Sequence, residues 1–250
     1  MPGLADSALY RRRMEKIAES LADYIKILDS DFAKDQFRFR GQEHDWPLLP
    51  RLARLEPRHG DHDDLERLMI EQLQLEGTAL CETVPSNKLE WLVVAQQHGM
   101  STRLLDWTSN PLAALWFAVR PHVERAPTDT AVVYVISFDD EDVISVRQEM
   151  NAFGHPRAYL LRPPHIAKRI TAQAGWFTTH PIIIGNSFQP LDKDHPLGSN
   201  LSKVLIPAEC VSDMRWALDR CGVNEATLFG DLVALCQHLD WAHARFPGEA

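Results

Sequence analysis

Arg40 and Gln42 stand two apart in the run Phe37-Arg38-Phe39-Arg40-Gly41-Gln42, and residues 96–110 crowd together Gln96, His98, Thr102, Arg103, Asp106, Thr108 and Asn110. Guanidinium groups, carboxamides and hydroxyls at this density suit recognition of an anion. Arginine offers a planar fork of donors to a phosphate, and glutamine sets a donor and an acceptor beside it. His98 could serve as a general base, a metal ligand or a structural hydrogen-bond donor. Arg103 and Asp106 carry opposite charges three residues apart among apolar neighbours, so the pair either braces the fold or faces a ligand. In both cases its desolvation demands good bonding.

Other chemistries have less to stand on. The sequence has no GxSxG, and none of Cys81, Cys210, Cys221 and Cys236 is adjacent to a histidine, which leaves serine and cysteine hydrolysis without a motif. Those cysteines lie far apart without a CxxC pair, so neither a zinc ribbon nor a disulfide framework is indicated. Asp61, His62, Asp63 and Asp64 are sequence neighbours that would need unusual backbone geometry to meet at one ion. They read as a helix cap, and no metal site is expected. His238 and His243 are not at metalloprotease spacing. A net charge of -9 argues against nonspecific nucleic-acid binding driven by phosphate neutralisation, although a local basic pocket survives in an acidic chain. A nuclease would also need a cluster of metal-binding carboxylates.

Periodicity identifies the elements that must hold these residues. Residues 36–42 alternate as a short strand, with Phe37 and Phe39 on one face and Arg38 and Arg40 on the other. Gly41 there permits a tight turn or a close backbone approach. Residues 87–99 form a helix capped by Asn87 and stopped at Gly99, and Gln96 falls in the middle of its apolar face. An unsatisfied buried amide costs about 1–3 kcal/mol, so Gln96 must join a polar network. Asn110-Pro111 opens a largely apolar helix whose amino end would present free backbone N–H groups to an anion.

Around this centre, residues 6–29 read as an amphipathic helix and 64–82 as a longer one. Strands are expected at 130–138, 158–162, 181–184 and 201–206. Pro207 opens a helix stopped by Gly222, and a last helix follows Asn224 with Leu228, Leu232, Leu235 and Leu239 on one face. The fold class is α+β, a short-stranded mixed or antiparallel sheet with surrounding helices. The expected divisions are an N-terminal helix at 1–30, a core domain at 31–206 and a helical extension at 207–250. No run approaches the ~20 apolar residues of a spanning helix. No membrane association is expected, and a cytoplasmic location is the default.

Phe39-Arg40-Gly41-Gln42, the WPLLPRLAR run at 46–54 and AQQHGMSTRLLDWTSNPLAALWFA at 95–118 resemble the FRG domain family. RITAQAGWFT at 169–178 and EATLF at 225–229 extend the resemblance over about residues 36–235. The family is named for its motif and has no settled activity. Its occurrence in bacteria and phages implies a role in conflict or phage defence. The resemblance also brings Arg169 and Gln173 to the site of Arg40, Gln42 and Arg103, and several arginines converge only where an anion or carboxylates offset their repulsion.

A strand arginine followed by glycine further looks like the first-strand motif of some ADP-ribosyltransferases, and Ser101-Thr102 like their hydroxyl-bearing strand. On that reading NAD is the substrate and Arg40 holds its pyrophosphate. Gln42, Thr102 and Arg103 position the nicotinamide ribose, and Arg40, Gln42 and Gln173 are the catalytic candidates. Those enzymes place a late glutamate where this chain offers Gln173, which leaves NAD hydrolysis as an alternative. The rival reading is a noncatalytic module that senses a nucleotide or another phosphate-bearing small molecule, or engages a protein partner. Its ligand-binding candidates are Gln96, His98, Thr102, Arg103, Asp106, Thr108, Asn110 and Arg169.

Overall fold

The computed structural model describes residues 13–120, 130–144, 156–163, 171–182, 188–193 and 197–244. Within them lie β1 (Glu15–Ile17), β2 (Phe37–Gln42), β3 (Leu104–Thr108), β4 (Ala131–Ser137), β5 (Val143–Ile144), β6 (Tyr159–Leu161), β7 (Gly175–Thr179) and β8 (Leu201–Ile206). They form one sheet in the order β1-β8-β4-β2-β3-β7-β6-β5. The central pairs are antiparallel, while β1 with β8 and β5 with β6 are parallel at the two edges. The sheet is thus mixed and the fold is α+β.

Helices cover one face of it. Phe37 and Phe39 of β2 and Val133 and Val135 of β4 pack beneath α4 (Pro111–Val119), α1 (Leu21–Asp31) and α5 (Val211–Arg220). Leu104 and Phe177, from β3 and β7, pack beneath α3 (Lys88–Gln97) and α2 (His62–Gly77). The opposite face buries Leu105, Trp107, Tyr134, Ile136 and Trp176 under loop residues Leu48, Leu191 and Leu197. Alternation along each strand therefore feeds two cores, as the period of two requires.

Gly41 is explained by this packing. A Cβ there would lie 1.9 Å from the Ala114 carbonyl oxygen and 2.5 Å from the Ala118 backbone nitrogen. The backbone that approaches Gly41 belongs to α4, and Ala114 and Ala118 are small enough to let it close on β2.

Four sequence expectations are corrected. Residues 6–29 are not one helix: β1 occupies Glu15–Ile17, where Ala18 N–H donates to Leu205 O and Lys203 N–H to Met14 O, and Ser20 caps α1. Pairing with β8 outweighs the helical spacing there; residues 6–12 lie outside the described residues. The strand expected at 181–184 is instead β7 at Gly175–Thr179, paired with β3 and β6. Pro181 and Ile182 carry no ladder, and residues 183–184 lie outside the described set. Helix α2 spans His62–Gly77 and ends in a 3-10 turn at Thr78–Leu80, with Asp61 and Asp64 forming its capping box.

The helix expected after Asn224 is two helices, α6 (Glu225–Phe229) and α7 (Leu232–His243), separated by Gly230 at φ +66°. That left-handed residue ends α6, and Leu228 is buried while Leu232, Leu235 and Leu239 are exposed. Among the described residues no helix is long and apolar enough to cross a membrane.

Candidate functional site

Helices α3 and α4 lie side by side on the same face of the sheet, and the space between them is a groove of about 310 Å³. Its floor is where β2 meets β3 at the register pair Phe39↔Thr108. Arg40, Gln96, Asp106, Thr108 and Gln173 line it, together with Gln97, Phe117 and Phe229. A second depression, of about 350 Å³ against α2, has walls that include Met69, Leu73, Leu80 and Met100 and, among the described residues, no arginine or lysine. Arg40, Gln96, Asp106, Thr108 and Gln173 are the polar candidates that meet at the groove.

Asp106 is set in place from below. The Leu104 N–H donates to Thr102 Oγ1 (3.1 Å), and the Thr102 hydroxyl donates to Gln96 Oε1 (2.7 Å). Because that amide oxygen is occupied, Gln96 Nε2 faces Asp106 and donates to Oδ2 at 2.9 Å. Thr102 is fully buried, which answers the requirement that Gln96 find partners. Asp106 is open to the groove but enclosed by protein on its other sides. Lost solvation pushes its carboxyl above the usual aspartate range, against the pull of Arg40 and Gln96.

The loop before β7 is stapled to the end of β3. Thr108 Oγ1 donates to Gln173 O at 2.5 Å, Ser109 N–H donates to Ala174 O at 3.1 Å, and Thr108 Oγ1 accepts from Asn110 N at 2.8 Å. Ala174 adopts φ +48°, a left-handed conformation that strains a residue bearing a Cβ. This staple holds Gln173 at the groove. The side-chain amides of Gln97 and Gln173 have no hydrogen-bond partner among the described residues.

Arg40 donates from Nε to Gln42 Oε1 (3.2 Å) and from Nη1 to the Asp106 carbonyl (2.8 Å), bridging β2 and β3 where their pairing lapses. Burial lowers its guanidinium below the usual arginine range, and Asp106 partly offsets this. Both bonds go to neutral oxygens. Gln42 is engaged at both ends, since its amide also donates to Trp46 O at 3.0 Å. Nearby, buried His180 contacts Thr178 Oγ1 at 3.0 Å, and that hydroxyl also accepts from Trp107 Nε1. Burial, with Arg40 adding to it, drops the imidazole to about 3, so His180 is neutral.

Other candidates are placed elsewhere. Arg103 does not pair with Asp106: its Nε donates to Glu66, its Nη2 to Asp63, and its backbone N–H to Glu66 Oε1 at 2.7 Å. The reason is geometric, because residues three apart in extended chain project to opposite sides. Its guanidinium is buried against α2, away from the groove. His98 is exposed at the C-cap of α3. Arg38 stacks 3.9 Å from the Trp176 ring and 4.7 Å from Phe138. Arg169 lies outside the described residues.

The amino end of α4 is also corrected. Pro111 has no N–H, and Leu112 and Ala113 N–H both donate to Asn110 Oδ1, at 3.0 and 3.3 Å. The asparagine cap consumes the donors that were expected to be free for an anion.

Gln97, Phe117 and Phe229 were not singled out by the sequence. Gln97 had a signal, a second amide beside Gln96 on a helix buried nearly all round. Phe229 reaches the groove because Glu225 at the start of α6 pairs with Arg120 at 2.8 Å, while Arg120 lies over Trp116 and Phe229. The FRG domain family model matches residues 35–126, a stretch that supplies β2, α3, β3 and α4 but neither Gln173 nor Phe229. No curated protein and no solved structure matches the chain.

Proposed function

We propose that the FRG domain carried by residues 35–126 of this chain binds a nucleotide in the groove between α3 and α4. The observation that supports this is the convergence of Arg40, Gln96, Asp106 and Gln173, from four separate stretches, on one concave site with aromatic walls. At about 310 Å³ the groove sits at the lower end of the ~300–1,000 Å³ typical of ligand sites, which suits one nucleoside-sized unit. Phe117 and Phe229, edge to face with centroids 6.1 Å apart, give a base an aromatic wall to pack against, and the amides of Gln97 and Gln173, without a partner among the described residues, offer donors and acceptors to its edge. Among the described residues Arg40 is the cation that lines the groove. Two of its donors are already tied to Gln42 and Asp106, so the guanidinium is held in place before a phosphate arrives.

Calorimetric titration of the full chain with nucleoside mono-, di- and triphosphates and NAD tests the reading. Saturable binding that weakens in Arg40→Ala and Phe229→Ala, with both variants folded, is the expected result. If no nucleotide binds, the reading fails.

A second reading, cleavage of the N-glycosidic bond of NAD, is favoured by one specific feature. Asp106 directs a carboxylate into the groove, a charge that Gln173 could not supply to an oxocarbenium-like transition state. Gln42, by contrast, is occupied within the fold. Nicotinamide release that Asp106→Asn abolishes would support catalysis; NAD binding without turnover would leave a sensing module. A role in defence would then be tested by phage challenge of cells carrying Arg40→Ala.

A further inference from the structure

We propose that Asp106 recognises the vicinal hydroxyls of the ligand's ribose, so that the groove selects ribonucleotides over their deoxy counterparts. This rests on the nucleotide reading above and assigns the part of the ligand that meets the carboxylate.

The relay beneath Asp106 carries the argument. Leu104 N–H, the Thr102 hydroxyl and the Gln96 amide each donate in one direction, ending at Asp106 Oδ2. Among the described residues this carboxylate is bonded by the Gln96 amide and its own backbone N–H, two donors for two oxygens with several lone pairs, so acceptor capacity remains on the groove side. Two adjacent hydroxyls match such a group, since each can donate to one carboxylate oxygen. A phosphate does not match it, because a second anion beside Asp106 would be repelled.

The surroundings divide the ligand in the same way. Arg40 approaches Asp106 from β2 and bonds its main-chain carbonyl, which leaves the carboxylate unneutralised by a direct ion pair among the described residues. Phosphate therefore belongs at the guanidinium and sugar at the carboxylate. Fixing Asp106 through a buried threonine removes the reorganisation that an ordinary surface aspartate would undergo on binding.

The test titrates the full chain with the four ribonucleoside monophosphates, their 2′-deoxy and 3′-deoxy forms, and NAD beside its 2′-phosphorylated form. The ribo forms are expected to bind roughly ten- to hundred-fold tighter than either deoxy form, the span of a charge-assisted hydrogen bond. The 2′-phosphate should bind weakest, and Asp106→Asn should collapse the ribo-to-deoxy ratio at unchanged Tm. Equal affinity for ribo and deoxy forms, or a ratio that survives Asp106→Asn, overturns this inference while the nucleotide reading stands. Binding of nothing in the panel overturns both.

Discussion

Arg40 and Arg103 sit in similar company along the chain, each in a short extended stretch among apolar residues, yet the fold treats them oppositely. Arg103 is closed off: its guanidinium is buried against carboxylates of α2 and its own backbone N–H is bound by Glu66. Arg40 is left open: its bonds run to an amide and a carbonyl, and it borders a groove. Partner charge makes the difference. A guanidinium matched by buried carboxylates is a structural clamp, whereas one held by neutral oxygens keeps its charge for something that arrives later.

Breaking the clamp should have the largest effect. Arg103→Ala leaves Glu66 buried without its cation and should cost about 3–5 kcal/mol in denaturant unfolding. Nucleotide affinity of the folded fraction should stay within about twofold, since Arg103 does not reach the groove. A large affinity loss in a folded Arg103→Ala protein would erase the contrast between the two arginines.

Gly41→Ala should come next, because it strikes the groove's floor from the packing side. The new methyl meets main-chain atoms of α4, which cannot rotate away, so a loss of about 3 kcal/mol is expected from overpacking. Unchanged unfolding would show that α4 is not seated on β2 at this point.

His180 separates the two regions by pH. Its folded value of about 3 lies below the unfolded ~6.5, so the unfolded chain binds the extra proton between them and stability falls as pH drops from 6.5 toward 3. The slope is up to ~1.4 kcal/mol per pH unit. The difference in stability between wild type and His180→Gln, measured against pH, should carry that slope in that window and flatten above it.

Arg40→Ala should act on binding more than on folding. It removes two hydrogen bonds to partly exposed oxygens, so a stability change of about 1 kcal/mol is expected against a roughly ten-fold or greater loss of nucleotide affinity. Equal losses in both measurements would make it a second clamp. The smallest effect is expected at Ala174→Gly, which relieves a left-handed backbone and should raise stability by up to about 1 kcal/mol.

The same contrast shows what could be read early. The caps Asp61, Asn87 and Asn110 and strands β2, β4 and β8 were legible because each is written in a few consecutive residues. So was the need for a network around Gln96, since a buried amide demands partners wherever it lies. Strand β3 was not legible: Ser101 to Thr108 presented itself as charges among apolar residues, and its alternation matters only once α2 and α3 cover one side of it and Leu48, Leu191 and Leu197 the other. Phe229 belongs to a segment more than a hundred residues from Phe117, and no local pattern says that the two share a wall.

The sequence by itself determined the local backbone choices, the FRG-type motifs and the polar inventory, because capping, alternation and side-chain chemistry act over a few residues. Only tertiary structure decided which of those polar groups would neutralise one another. Arg103 was paired by α2. Arg40, Asp106 and Gln173 were left facing a groove, because charge compensation depends on distances of a few ångströms between segments that the sequence keeps far apart.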